Sequence, residues 1–345
     1  MKKLLNTLYV TTQGTYLARD NETVAVRVES ETRLRVPIHT LEGIVCFGQV
    51  SCSPPLMGLC AESGVAISFL TEQGRFLARV QGPVSGNVLL RREQYRRADS
   101  PQASVEIARA IVGAKIANCR SVLLRAARER GEDGCPEVER LRVAAARLAD
   151  LLRRLEFPCD LEEARGKEGE AAAVYFGVFD NLVTAQKNDF PFRGRNRRPP
   201  LDNINALLSF HYTLLAHDVR SALESVGLDP AVGFLHRDRP GRPSLALDLM
   251  EELRPVLAER AVLSLVNRQQ VQATGFTKTE SGAVTMDDDT RKTVLVNYQK
   301  RKQDEITHPF LGEKIAVGLI PFAQALLLAR CLRGDLDGYP PFFWK

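Results

Sequence analysis

The sequence predicts an α+β chain of two domains, a small N-terminal β-strand domain over residues 1–84 and a larger, almost all-α domain over residues 85–345. Three observations predict it. Short apolar runs separated by turn residues extend to residue 80; Gly82, Pro83, Ser85 and Gly86 break that pattern; and apolar residues at helical spacing follow. A chain of 345 residues suits about two domains of roughly 150 each, every one large enough to bury a core without disulfide or metal staples.

In the first domain, strands are expected at 8–12, 15–19, 23–28, 33–36, 44–47, 65–70 and 76–80. Val24, Val26 and Val28 alternate with Ala25, Arg27 and Glu29, the pattern of a half-buried strand, and residues 54–62 read as one short helix between strands. In the second domain, residues 104–130 and 137–156 carry apolar residues at helical spacing on either side of a breaker at 131–136. That arrangement predicts an antiparallel helix pair. Further helices are expected at 169–186, 202–226, 244–271 with a kink at Pro255, and 312–333 interrupted at Pro321. The acidic run Asp287, Asp288, Asp289 reads as a solvated loop.

Composition narrows the function classes. With 44% hydrophobic and 26% charged residues the chain is neither disordered nor fibrous, and 47 Lys plus Arg against 42 Asp plus Glu leave a mild basic excess of +5. The longest nearly apolar stretch, 315–329, contains Pro321 and Gln324 and is shorter than the roughly 20 residues that cross a bilayer. No transmembrane helix and no membrane partner are expected. The first ten residues lack the apolar run and cleavage site of a secretory signal, so a cytoplasmic location is expected. Seven scattered cysteines fit reduced thiols. No Gly-rich phosphate loop, Ser-His-Asp signature or dinucleotide fingerprint appears, which argues against nucleotide hydrolysis and redox chemistry.

The candidates for chemistry are acidic and basic. Glu168 extends by one turn the apolar stripe of Ala171, Ala172, Val174, Tyr175, Val178, Phe179 and Leu182, so its carboxylate points toward the core side. A glutamate stabilised by the helix dipole would look the same, and Glu170 faces elsewhere. His236 sits among Arg237, Asp238, Arg239 and Arg242, ahead of a helix carrying Asp248, Glu251 and Glu252. Asp248 and Glu251 share one helical face at a spacing of three. A solvated acidic face and a capping histidine account for each feature taken singly. Together, carboxylates and an imidazole without thiolate suit Mg²⁺ or Mn²⁺, an ion that would polarise a phosphoryl oxygen while arginines hold the polyanion.

A second basic cluster places Arg193, Arg195, Arg197 and Arg198 within six residues, followed by Asp202 as an expected helix N-cap. It reads as a phosphate contact or as a charged loop ahead of a capped helix. Asn205, Ser209 and Tyr212 fall on one face of that helix, as core polar residues or as part of a site. Arg91, Arg92, Arg96 and Arg97, and Arg125, Arg128 and Arg130, are accounted for by surface solubility.

Three segments in order carry a resemblance: Glu168-Gly169 with Ala171, Ala172, Tyr175 and Phe176; Arg197-Arg198-Pro199-Pro200 with Asp202 and residues 205–209; and residues 233–236 leading to Ser244-Leu245, residues 248–252 and Arg254-Pro255. They resemble the CRISPR-associated integrase family, the first of the two near-universal spacer-acquisition proteins. Residues 67–80 and 86–95 are similar to its subtype I-C branch. The resemblance implies an N-terminal β domain that pairs two subunits and an α-helical catalytic domain that cuts and joins DNA in antiviral defence. It implies Glu168, His236 and Glu251 as metal ligands, with Glu252 as the alternative third ligand, and Asp248 assisting by sharing the metal or orienting His236. It also implies a DNA contact from Arg254, beside Arg197, Arg198, Arg237, Arg239 and Arg242, which the basic clusters themselves offer as DNA contacts. The implied partners are double-stranded DNA, as fragment and as repeat array, a second copy of the chain, and the small second acquisition protein bridging two homodimers. The 3′-hydroxyl of the captured fragment would attack a phosphodiester of the repeat array in a metal-assisted transesterification.

Two other readings compete with this one. A catalytically inactive DNA-binding scaffold of the same complex would keep the arginines and use the acidic residues structurally. A metal hydrolase of small phosphorylated substrates would lack the steep salt dependence of a protein that contacts many phosphates.

Overall fold

A computed structural model describes residues 5–72, 74–80, 82, 87–131 and 135–344. The boundary expected near residue 84, and residues 132–134 of the expected breaker between the paired helices, lie outside the described residues.

The N-terminal region is built from β1 (Asn6–Val10), β2 (Tyr16–Asp20), β3 (Thr23–Val28), β4 (Glu31–Pro37), β5 (Leu41–Phe47), β6 (Ser51–Cys52), α1 (Pro54–Glu62), β7 (Ala66–Leu70) and β8 (Phe76–Val80). All seven expected strands and the expected helix are present; only the two-residue β6 is additional. The strands form two four-stranded sheets, one ordered β1-β5-β7-β8 and the other β4-β3-β2-β6. Two-residue loops join β2 to β3 and β3 to β4, and Glu29 and Ser30 both adopt positive φ, as a primed hairpin turn requires. Ser53 caps α1 by accepting from the Leu56 amide, with Pro54 in the first turn where no amide donor is needed. Val10, Leu17, Val24, Ile44, Leu56, Cys60 and Ile67, drawn from both sheets and α1, share one buried core. The expected alternation in β3 is blurred, because Ala25 is buried as completely as Val24 while Val26 is only half-buried.

The remainder comprises α2 (Val88–Asp99), α3 (Pro101–Arg130), α4 (Pro136–Glu156), α5 (Leu161–Gly177), α6 (Asn203–Ser225), α7 (Ser244–Leu253), a π-helical segment (Arg254–Glu259) and α8 (Arg260–Asn267). These are followed by β9 (Phe276–Lys278), β10 (Val284–Met286), α9 (Asp288–Gln303), β11 (Glu305–Thr307), β12 (Lys314–Ala316) and α10 (Ile320–Arg333). The long expected helices are found, α3 and α4 packing on each other as the paired helices. Several boundaries move for identifiable reasons. α5 begins eight residues before the expected start, because Asp160 and Glu163 form a capping box that the apolar spacing does not reveal. Pro321 does not interrupt α10; it lies in its first turn, and the residues before it form β12 and a 3₁₀ turn. The acidic run is not a loop. Asp287 caps α9 by accepting from the Thr290 amide at 2.8 Å, and Asp288 and Asp289 occupy the first turn, where the helix dipole favours carboxylates.

By compactness the chain separates into two units, Met1–Ser85 with Thr285–Asp304 and Ala316–Leu319, and Gly86–Val284 with Glu305–Ile315 and Ile320–Lys345. The helical region is therefore not one uninterrupted segment. α9 returns to the first unit, where Gln299 donates to the Thr7 carbonyl at 3.1 Å.

Candidate active site

The acidic candidates meet in the second unit, carried by α3, α5, the loop between α6 and α7, and α7. Glu163 accepts from the Asp160 amide at 3.0 Å and Asp160 from the Glu163 amide at 2.8 Å, which fixes the start of the helix that bears Glu168. Arg165 on α5 donates to the Leu235 carbonyl at 2.5 Å, and Arg237 donates to Glu162 at 2.8 Å. Two arginines thus tie the helix of Glu168 to the loop of His236.

Asp248 organises that loop. Its carboxylate, fully buried on α7, accepts the amides of Phe234 at 2.6 Å, Leu235 at 2.9 Å and His236 at 2.9 Å, and the His236 Nδ1 at 2.6 Å. A carboxylate only accepts, so Nδ1 carries a proton, and in the neutral ring the lone pair then belongs to Nε2. Nε2 lies 3.9 Å from Glu251 Oε1. Gly233 permits the close approach, since a Cβ there would stand 2.6 Å from Asp248 Oδ2 and 2.8 Å from the Ser244 carbonyl carbon.

Glu251, three residues along the same helical face, is buried between two cations. Its Oε2 accepts from Lys115 Nζ at 2.5 Å, and its Oε1 forms an ion pair with Arg254 Nη1 at 2.5 Å. Burial alone would raise its pKa, but Arg254 and then Lys115 outweigh burial and hold it down to about 2. Lys115 also bonds Glu168, so a single ammonium joins both carboxylates. Burial opposes the charge on Lys115, and the fields of Glu251 and Glu168 more than compensate, leaving its pKa raised. Glu252 turns the other way. It accepts from Tyr339 Oη at 2.6 Å, Gln324 Nε2 at 2.9 Å and the Phe342 amide at 3.0 Å, and burial pushes its pKa up to about 7.

The basic candidates divide. Arg254, expected to reach DNA, is instead buried on Glu251, with its guanidinium 5.0 Å over the Tyr212 ring, because the π-helical segment it opens keeps it against α6. Tyr212 donates to Glu259 at 2.6 Å, and Arg195 lies 5.1 Å over the same ring while donating to Asn205 at 2.6 Å and Ser209 at 3.2 Å. Asn205, Ser209 and Tyr212 therefore hold arginines in place. Arg193, Arg197, Arg198 and Arg239 are exposed, and Arg237, also exposed, is paired with Glu162. Arg242 has its pKa lowered by burial and by the charge of Arg239, against Asp248, with Arg165 and Arg197 adding to the effect. Arg197, some forty residues earlier in the chain, thus contributes to the field at Arg242.

The sequence profile of the family described as CRISPR associated protein Cas1 matches residues 8–300, which include every residue of this cluster. This chain belongs to the Cas1 family. A Cas1 relative from Chlorobaculum tepidum, named CRISPR-associated endonuclease Cas1 1, is 58% identical over 347 residues and covers 100% of both chains. Among solved structures, a casposase bound to integration product matches with a TM-score of 0.84 at 22% identity, covering 99% of this chain and 95% of that one. A Cas6-RT-Cas1–Cas2 complex matches with a TM-score of 0.83 at 21% identity, covering 100% of this chain and 36% of that one. These likenesses show that the mixed α+β architecture, strand-rich at the N-terminus and helical beyond, is the Cas1 fold.

The Cas1 resemblance implies a divalent ion, and the donor chemistry fits one: two carboxylates that already share positive charge, the Lys115 ammonium, and an imidazole nitrogen 3.9 Å from one of them. Among the described residues no three His, Cys, Asp or Glu side chains close directly around a common point. Lys115 stands between Glu168 and Glu251. Asp248 faces His236 and the loop amides with both oxygens, so of its two expected roles the geometry fits the orienting one. Sequence reasoning missed Lys115, Arg165 and Glu259 of this cluster. Lys115 carried a readable signal, a lone cation on the apolar stripe of Ala108, Ile111, Val112, Cys119 and Val122.

Proposed function

We propose that this Cas1 chain is a metal-dependent DNA endonuclease and integrase of CRISPR adaptation, of the subtype I-C branch, joining the 3′-hydroxyl ends of captured foreign duplexes into the repeat array. The observation that carries the reading is the convergence of Glu168, His236 Nε2 and Glu251 from three separate elements, with Arg237 and Arg239 exposed on the loop that bears His236. The endonuclease name of the Chlorobaculum tepidum relative and the integration product bound by the casposase support it.

Glu168, His236 and Glu251 would hold Mg²⁺ or Mn²⁺. When bound, such an ion supplies a Lewis acid that polarises the phosphoryl oxygen and neutralises the charge developing in line. The chain's own residues prepare the site. Asp248 keeps the proton on His236 Nδ1 and turns the Nε2 lone pair inward, while Arg254 keeps Glu251 ionised. Arg193, Arg197, Arg198 and Arg239 would take backbone phosphates, giving register without base readout. The protein contributes no covalent nucleophile. The attacking oxygen is the 3′-hydroxyl of the fragment, one P–O bond forms as another breaks, and the hydroxyl proton ends on the released 3′-oxygen. Water in place of that hydroxyl gives strand cleavage.

The partners follow from the same reading: a homodimer formed through the N-terminal β domain, two such dimers bridged by the small second acquisition protein, and double-stranded DNA, all in the cytoplasm. The neighbouring Cas6-RT-Cas1–Cas2 complex supports the second partner. No helix of the described residues is long and apolar enough to cross a membrane.

The test is strand joining between a duplex with free 3′-hydroxyls and a repeat-bearing plasmid in Mn²⁺, with and without the small partner, comparing wild type with His236→Ala. We expect joining by wild type and a loss of at least about 100-fold in the variant. If neither protein joins or cuts DNA while both bind it equally, the inactive-scaffold reading replaces this one.

A further inference from the structure

The positive charge between Glu168 and Glu251 belongs to the chain itself. Lys115 reaches the cluster from α3 with its side chain 8% exposed, and both of its bonds go to these two carboxylates. Arg254 takes the remaining oxygen of Glu251. Two carboxylates and two cationic side chains form a balanced group, and both oxygens of Glu251, with Oε1 of Glu168, are already paired with a cation. A divalent ion that used these carboxylates would meet like charge at every one of those oxygens.

The two cations are not equally fixed. Arg254 is planar, stacked on Tyr212, and Tyr212 is itself anchored on Glu259. Lys115 is a point charge on a flexible four-carbon stem. It can withdraw from the carboxylates without breaking any stacking. An unpaired buried ammonium is costly, so Lys115 and the two carboxylates hold one another in place for as long as nothing replaces it.

From this geometry we infer that Lys115 is a positioning residue, a resident counter-ion that holds Glu168 and Glu251 together in the ion-free protein and competes with the divalent ion for their oxygens. The inference rests on the metal-dependent reading above. It predicts an effect opposite to that of a structural lysine, because removing Lys115 strengthens metal binding.

The experiment measures Mn²⁺ affinity of the purified full-length chain by calorimetry for wild type, Lys115→Met and the double variant Lys115→Met with Glu168→Gln, with thermal midpoints in EDTA and in Mn²⁺. Lys115→Met is expected to bind Mn²⁺ at least about 10-fold more tightly than wild type, to melt lower in EDTA, and to gain more from Mn²⁺; the double variant loses the gain. Equal or weaker binding by Lys115→Met, with wild-type binding intact, overturns the role of Lys115 and leaves the metal reading standing. Absence of Mn²⁺ binding in both proteins overturns both. Should Lys115→Met fail to fold, wild-type crystals soaked in Mn²⁺ decide the matter. An anomalous peak at the carboxylates with the Lys115 ammonium withdrawn supports the inference, and a peak with Lys115 still joining both carboxylates overturns it.

Discussion

His308 shows how a single protonation state is fixed by its neighbours. Gln324 Nε2 donates to Glu252, Tyr339 Oη and the Pro340 carbonyl, so its amide oxygen faces His308 Nε2 at 3.0 Å and that nitrogen carries the proton. Nδ1 then accepts the Leu311 amide at 3.2 Å, which a protonated ring could not do. Burial lowers the pKa of His308 despite the bond to Gln324. The folded protein therefore resists protonation that the unfolded chain accepts, and stability is lost as pH falls below about 6.5 toward the depressed folded pKa. The stability read from urea unfolding should fall more steeply between pH 7.5 and pH 5.5 in wild type than in His308→Gln; parallel profiles would show that the ring does not control the slope. Asp248 supports a second prediction at this scale. Asp248→Asn turns one carboxylate oxygen into an amide nitrogen and so leaves either the Phe234 and Leu235 amides or the His236 amide and Nδ1–H without an acceptor, and a loss of about 3 kcal/mol is expected in urea unfolding. Strand joining should fall about 10- to 100-fold, and wild-type rates in the variant would remove Asp248 from the site.

Elements position these residues through local chemistry that periodicity reads only in part. The lengths of α3, α4 and α6 were legible because long apolar stripes at helical spacing have no competing reading, and Asp202 was legible as a cap because its side chain accepts the Asn205 amide at 2.7 Å. The first turns of α5 were not, since Glu162, Glu163, Arg165, Gly166 and Lys167 leave only Leu161 and Ala164 apolar there. α9 was hidden for the same reason: its buried face uses Thr290, Arg291 and Lys302 beside Val294, Leu295 and Tyr298. Pro255 was legible as a break, and the break takes the form of a π-helical segment that brings Arg254 to Tyr212. The loop after α6 depends on Gly233. Gly233→Ala forces its new carbon against Asp248 Oδ2, the Ser244 carbonyl carbon at 2.8 Å and the Leu245 nitrogen at 3.0 Å, two of them backbone atoms that cannot rotate away. A destabilisation of about 2 kcal/mol is expected from the thermal midpoint, together with a larger fractional loss of joining than of DNA binding. Equal losses of both would mean that the loop matters for folding alone.

At the scale of the whole molecule, the meeting of residues 115, 168, 236 and 251 could not be read from spacing, because each arrives on its own element and only tertiary packing joins them. The same holds for the arginines. The sequence shows two basic clusters, and in the fold the charge of Arg197 in one reaches Arg242 in the other and helps to lower its pKa. With a net charge of only +5, overall attraction to a polyanion is modest, and on the proposed reading duplex affinity would come from this local concentration of positive charge. Arg197 and Arg198 are exposed, so each can meet a phosphate and release a condensed counter-ion. Removing one phosphate contact flattens the plot of log affinity against log salt by about 0.9, so Arg197→Ala with Arg198→Ala should flatten it by about 1.8 in duplex titrations between 50 and 200 mM salt. His236→Ala, which removes none of these arginines, should leave the slope unchanged. A double arginine variant with the wild-type slope would place the DNA path elsewhere, and a nearly flat slope in wild type itself would favour a small phosphorylated substrate over a polymer.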